Sequence, residues 1–252
     1  MAVVDFEKQG HLRIIRLNRP GKKNALNLEM MEQLGDCWKA FLADDDAWLA
    51  ILTGNGDAFS VGADFSFLEK SPDGKPGLHR WLETIRQDPF FCGEVNKPTI
   101  VAISGYCLGA ALAMALITDL RVCTESAKFQ VAEVMLGFPL LLRDNLPSAI
   151  AAELNCGLTL TGRRAYEVGL VNRVVPDGQA MNAALELANE LLSRAPLGVY
   201  HGLRMVRELK NIEDRMPSEY LIQLQARLQA TEDFAEALSA IREKRKPVFK
   251  RR

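Results

Sequence analysis

Thr99–Thr118, "TIVAISGYCLGAALAMALIT", is twenty residues without a charge in a chain of 252 residues that is 25% charged. By length it could cross a bilayer. Its interior reads differently. Thr99–Ile103 follows Pro98, is rich in β-branched residues and predicts a buried strand. Ser104–Gly105 predicts a turn. From Gly109 to Ile117 the Ala, Leu and Met content favours helix. A buried strand, a glycine turn and a buried helix explain the missing charge, and no other segment supports a membrane topology.

The same alternation extends on both sides. Leu12–Leu17, "LRIIRL", predicts a strand, and "NRPGKKNALN" a loop rich in turn formers and positive charge. Asn27 is placed to cap a helix reaching about Leu42, with Met30, Met31, Leu34, Trp38 and Phe41 at helical spacing. "WLAILTG" predicts a strand, "GNGDAFSVGAD" a glycine loop, and "SFLEKSPDGKPG" a mobile segment. A helix is expected from about Leu78 to Val95. "DLRVCTE" predicts a strand after the opening stretch. A short helix is expected after Gly162, and Leu170–Val175 as a short extended segment. Strand, helix, strand, helix, strand, helix, strand implies an α/β core with a parallel or mixed sheet. Beyond Asp177 strand signals stop. A helix ends at Pro196, and two or three more run from Gly198 to Glu243. The expected division is a core over 1–195 and a C-terminal helical oligomerisation region over 196–252, whose amphipathic faces pack on the core or on another subunit.

Composition narrows the function. The formal net charge is -1, with 48% hydrophobic residues, which fits neither a disordered chain nor a globally basic nucleic-acid binder. Five cysteines, none in a CxxC, suit a reducing, cytoplasmic compartment. The N-terminal twenty residues hold no long apolar run of the kind a signal peptide needs. His11, His79 and His201 form no HExxH, no Cys/His cluster has zinc spacing, and there is no GxSxG elbow, Walker lysine or dinucleotide fingerprint. No metal is expected.

Two strand-to-glycine-loop junctions remain, at Ser60–Asp64 and at Gly105–Gly109. Each can turn backbone N–H groups toward one pocket, and the second opens a helix, whose first turn carries free N–H groups and partial positive charge. Together they could form an oxyanion hole. Ordinary βα turns have the same local look.

"ILTGNGDAFSVGADF", "NKPTIVAISGYCLGAALAMALITDLRV", "AKFQVAEVMLGFP", "LTGRRAYEVGLVNRVVP" and "EKRKPVF", in this order, resemble the enoyl-CoA hydratase/isomerase family, the crotonase superfamily. The resemblance covers essentially the whole chain. It implies a crotonase β-β-α spiral core, of the kind also seen in ClpP, with a C-terminal helical domain. It implies trimers or dimers of trimers, and coenzyme A as part of the substrate, with no permanently bound cofactor. The oxyanion donors map to the N–H groups of Ala63 and Ala110. Many members have glycine where this chain has Ala110 and Ala111; alanine keeps the N–H but adds a methyl group. Of two glutamates used by the family's hydratases, one falls at Ala113 and is absent, and the other is Glu133. Val131, Ala132, Val134 and Met135 around Glu133 predict a semi-buried acid of raised pKa.

A lone Glu133 favours double-bond isomerisation, which needs one base to move a proton from C2 to C4. The alternative is an enoyl-CoA hydratase using Glu133 alone. Further alternatives are an acyl-CoA hydrolase or decarboxylase, or a non-catalytic acyl-CoA-binding or RNA-binding relative. Coenzyme A recognition is expected from Lys22, Lys23, Ala25, Val61 and Asp64, with Phe249 and Lys250 closing over the adenine. A lysine common in relatives two positions after that Asp is Ser66 here, so Lys70 is a possible replacement. Glu69 and Asp144 are spare acids. The run "FPLLLRDNLPSA" replaces a glycine-rich segment of the family and changes the acyl pocket. The basic tail "REKRKPVFKRR" has one Phe and no base-stacking platform, so a nucleic-acid partner is not expected.

Overall fold

The computed structural model describes residues 2–64, 77–137, 139, 146–213, 229–245 and 247–248. Ser66, Glu69, Lys70, Asp144, Phe249 and Lys250 lie outside them, as does most of the segment expected to be mobile.

The opening stretch forms strand β4 (Thr99–Ile103), a turn, a short strand β5 (Tyr106–Leu108) and helix α3 (Ala110–Ile117). Around β4 runs a six-stranded sheet in the order β1 (Val4–Gln9), β2 (Leu12–Leu17), β3 (Leu49–Gly54), β4, β6 (Leu120–Thr124), β9 (Arg173–Val175). β1 and β2 pair antiparallel; every other neighbour pair is parallel. A small second sheet joins β5, β7 (Lys128–Gln130) and β8 (Leu160–Thr161).

Both faces of the large sheet are covered, which is why its strands read as almost continuous apolar runs. Successive side chains point to opposite faces. Val101 and Ile103 join Ile15, Leu17 and Leu52 in the main core, with α1 (Leu28–Ala43) and α3. Ile100 and Ala102 join Ile14, Ile51 and Val122 on the other face, against α6 (Ala180–Leu192). There Ala180, Ala183, Ala184 and Ala188 present small side chains, so the helix lies close to the sheet. α1 follows its pattern: Met30, Met31, Leu34, Trp38 and Phe41 are fully buried, and the Asn27 side chain accepts from Met30 N at 3.0 Å.

Helix α2 (Gly77–Gln87) is shorter than expected. It ends before Asp88–Pro89 because a residue preceding proline disfavours helical backbone. Asp88 then accepts from Phe90 N at 2.8 Å and turns the chain. The short helices α4 (Ser148–Asn155) and α5 (Gly162–Glu167) follow, the latter capped by Thr161. Among the described residues no strand follows Val175 and no helix is long and apolar enough to cross a membrane.

The C-terminal segment supplies α7 (Pro196–Glu213) and α8 (Glu232–Arg242). Arg207 ties α7 to the core. Its Nε and Nη2 donate to the two Asp119 carboxylate oxygens at 2.7 and 2.6 Å, and its Nη1 donates to Val95 O at 2.7 Å. Asp119, whose side chain is 5% exposed, also accepts from the Thr99 N–H and hydroxyl. A bidentate guanidinium on a buried carboxylate is directional and, once formed, hard to lose. Arg207→Ala leaves that carboxylate without its cation. It is expected to lower the urea midpoint by the equivalent of roughly 2–3 kcal/mol, the lower end of the range for breaking a buried pair because Arg207 is partly exposed. Urea unfolding at fixed protein concentration checks it.

Candidate active site

Two loops meet at the start of α3. The first runs through residues 60–64 and is zipped to residues 23–26. Val61 N donates to Lys23 O at 3.1 Å, Leu26 N to Gly62 O at 2.8 Å, and Asp64 N to Leu26 O at 2.9 Å. The Ser60 hydroxyl donates to Asn24 O at 2.7 Å and accepts from Gly62 N at 3.1 Å. Asn24 is fully buried and accepts from Arg19 N while donating to Asn55 O and Ala58 O. These bonds hold an irregular loop as firmly as a strand pair, since nearly every inward polar group has a partner.

Within this pattern the Ala63 N–H is the exception: no acceptor faces it among the described residues, although Ala63 bridges Leu26. The loop also touches the second one. A Cβ built on Gly62 would lie 2.6 Å from Leu108 O and 3.4 Å from Ala110 N. Residues 62–63 and the first residue of α3 are therefore neighbours.

The second loop ends at Gly109, whose N–H donates to Gln130 O at 2.8 Å. Gly109 has φ +53 and a Cβ there would lie 2.4 Å from Glu133 Oε1. Only glycine fits both the backbone conformation and the close approach. Glu133 sits in a short 3₁₀ helix (Ala132–Leu136), anchored on its far side by Leu136 against Phe234 and Ala237 of α8.

Glu133 is 9% exposed, and its Oε2 is buried without a hydrogen-bond partner. Burial raises its pKa to about 7; its own N–H and the Ala110 N–H oppose that shift. Desolvation therefore dominates, as expected for a carboxylate with no cation beside it among the described residues. The result is a carboxylate half ionised near neutral pH, beside the N-terminal N–H of a helix. It can exchange a proton with a carbon or oxygen of a ligand bound beside the start of α3.

Ala113 lies one turn into α3, half-buried, and contributes no ionisable group. Of the residues expected to meet coenzyme A, Lys22 ends a 3₁₀ turn (Pro20–Lys22) and is exposed. Lys23 places its ammonium 4.6 Å from the Tyr106 ring centroid. The N–H groups of Ala25 and Val61 are already taken, by Lys22 O and Lys23 O. Asp64 is paired with Arg19 at 2.8 Å, and Arg19 also donates to Ala25 O. That pair braces the two segments. Asn24, Ser60 and Gln130 are site-building residues that pattern reading missed. Polar residues in a loop or at a strand end look solvent-facing, and only their burial reveals them. No group of His, Cys, Asp and Glu fit for a metal occurs among the described residues.

The mixed six-stranded sheet with its small second sheet and C-terminal helices is a crotonase fold, the fold of acyl-CoA enzymes of this class. Residues 7–252 match the family model described as enoyl-CoA hydratase/isomerase. The chain is 34% identical to the enoyl-CoA hydratase EchA19 of Mycobacterium tuberculosis, over 98% of this chain and 96% of that one. It is 30% identical to the 2,3-dehydroadipyl-CoA hydratase of Escherichia coli, over 100% of each. The crystal structure of an enoyl-CoA hydratase/isomerase from Pseudoalteromonas atlantica superposes with a TM-score of 0.83 at 29% identity, covering 98% of this chain and 100% of that one. The chain belongs to the enoyl-CoA hydratase/isomerase family.

Gly109→Ala drives a methyl group into the Glu133 carboxylate. It is expected to lower kcat about 100-fold, the penalty typical of a displacement near 1 Å at a reacting group. Steady-state kinetics with an acyl-CoA substrate, alongside an unchanged far-UV circular dichroism spectrum, checks it.

Proposed function

We propose that this chain isomerises 3-enoyl-CoA to 2-enoyl-CoA with Glu133 as its single acid/base. The supporting observation is the buried carboxylate of Glu133 next to the Ala110 N–H, with Ala113 where a second acid would stand. The thioester oxygen binds the N–H groups of Ala63 and Ala110. C2 is bonded to that thioester carbon, so a base beside the oxygen is within reach of the C2 proton. Glu133 takes the proton, and the electron pair delocalises onto the oxygen as a dienolate. The same carboxyl returns the proton at C4, and the double bond comes to rest between C2 and C3. One base suffices because the proton leaves and re-enters the same conjugated system.

A second reading, hydration of 2-enoyl-CoA, is favoured by the names of the relatives from Mycobacterium tuberculosis and Escherichia coli, both called hydratases. There Glu133 alone would deprotonate water and protonate C2. The two readings separate by product. The isomerase reading expects 2-enoyl-CoA from 3-enoyl-CoA and no 3-hydroxyacyl-CoA from 2-enoyl-CoA; a 3-hydroxyacyl-CoA product overturns it.

In both readings the coenzyme A moiety lies along Lys22, Lys23, Ala25, Val61 and Asp64, with Phe249 and Lys250 over the adenine. Lys22 and Lys23 supply the free cations for phosphate, the Val61 carbonyl is left for the pantetheine, and Asp64 acts through Arg19. Residues 196–252 serve oligomerisation, as a homotrimer or dimer of trimers. The exposure of Leu197 (71%) and Met205 (66%) on α7 supports a partner surface there.

Glu133→Gln is expected to abolish turnover while leaving the Kd for a CoA ester within about threefold, because the amide keeps the shape and loses the base. The carboxylate is the active form. In the wild type kcat/KM should rise about tenfold per pH unit below 7 and level off above it, with the midpoint at the raised pKa of about 7. A pH profile centred near 4.5 would overturn the assignment of Glu133 as the base.

A further inference from the structure

We propose that Gln130 is a positioning residue that clamps the Glu133 segment between α4 and the start of α3. This rests on the reading of Glu133 as the base.

Gln130 is the last residue of β7 and works in two directions. Its carbonyl accepts from Gly109 N at 2.8 Å, so its main chain is fixed to the residue that precedes α3. Its side-chain Nε2 donates to Gly157 O at 2.6 Å, just beyond the end of α4. Gly157 in turn presses on the Glu133 segment: a Cβ built on it would lie 2.7 Å from Val134 Cγ2 and 3.9 Å from Val131 O. Val131 and Val134 thus lie against the backbone that the Gln130 amide holds.

The clamp matters because, among the described residues, no side chain donates to Glu133. Its Oε2 has no partner, so its protonation is governed by how well the walls exclude water. On one flank of the 3₁₀ helix Leu136 packs against Phe234. On another, Val134 meets Gly157, which the Gln130 amide holds. Loosening that contact lets the segment shift, hydrates the carboxylate and lowers the proton affinity of Glu133. The charged residues on the surrounding elements are Lys128 on β7, Glu153 on α4, and Glu232, Asp233, Glu236 and Arg242 on α8; α3 carries none. None of them is among the causes of the Glu133 shift, in which burial leads.

The test is a 13C NMR pH titration of glutamate carboxyl groups in the full chain, with the Glu133 signal assigned by its loss in Glu133→Gln. Gln130→Met keeps the bulk and removes the donor. It is expected to lower the Glu133 midpoint by about one pH unit, to lower kcat about tenfold and to leave KM within about threefold. Val134→Ala removes the atom that Gly157 presses against while keeping the Gln130 bond, and should shift the midpoint the same way by less. It decides the matter if Gln130→Met does not fold. A Glu133 midpoint unchanged in Gln130→Met, or in Val134→Ala where that variant has to decide, overturns the clamp. Retained turnover in Glu133→Gln overturns the base instead, and the NMR midpoints still report on the clamp, because they do not depend on turnover.

Discussion

The site depends on one constraint, a carboxylate held out of water against the first turn of a helix. Raising the Glu133 pKa from 4.5 to about 7 corresponds to roughly 3 kcal/mol disfavouring the ionised form. An acid so placed in an ordinary core would simply stay protonated. Here the Ala110 N–H and the positive end of α3 hold part of the ionised form in reach. Burial and the helix terminus oppose each other, and the balance lies at neutral pH. Asp88 makes the contrast. It too is buried, with a pKa raised to about 6, but its partners are the N–H groups after α2 and it lies against Gly35 of α1.

That balance requires backbone to approach side chain more closely than a Cβ permits, which ties catalysis to the packing of the core. Gly109 is positioned from one side by β7, through Gln130 O, and from the other by α3. The loop carrying Ala63 reaches the same place through Asn24 and Ser60, buried polar residues whose hydrogen bonds substitute for a regular ladder. The donors are rigid because the β2–β3–β4 sheet below them is packed on both faces, by α1 and α3 on one side and the alanine face of α6 on the other. A helix dipole or an N–H group fixed in this way needs little reorganisation when negative charge develops, which is the condition for main-chain donors to stabilise an enolate.

Much of this was legible in the sequence where periodicity or cap chemistry is strong. The opening stretch resolves into strand, turn and helix because β-branched residues give way to Ala and Leu across a glycine turn. α1 follows from Asn27 and the spacing of its buried residues. The three-residue strands β5 and β7 were not legible, since three residues are too few to express a period. The early end of α2 was written in Asp88–Pro89 but outweighed by the apolar residues beyond it. At the site, Glu133 was reached through the family resemblance, and its apolar neighbours pointed to its burial. Asn24, Ser60 and Gln130 did not stand out, because their polarity is used inward and only tertiary contact distinguishes that from exposure.

Removing the second acid changes what the remaining one must do. In a two-carboxylate site, water activation and carbon protonation are divided, and each group can be tuned for its own step. On the proposed reading, with Ala113 in α3, proton uptake and release fall to Glu133, so its pKa must suit both. A value near neutrality is the compromise: a stronger base would remain protonated, and a weaker one would not remove a C2 proton even with the enolate stabilised. The unpartnered Oε2 of Glu133 fits this demand. A cation or further donor fixed on that oxygen would hold the carboxylate ionised; burial without one favours the acid, and the Ala110 N–H draws the balance back toward neutrality.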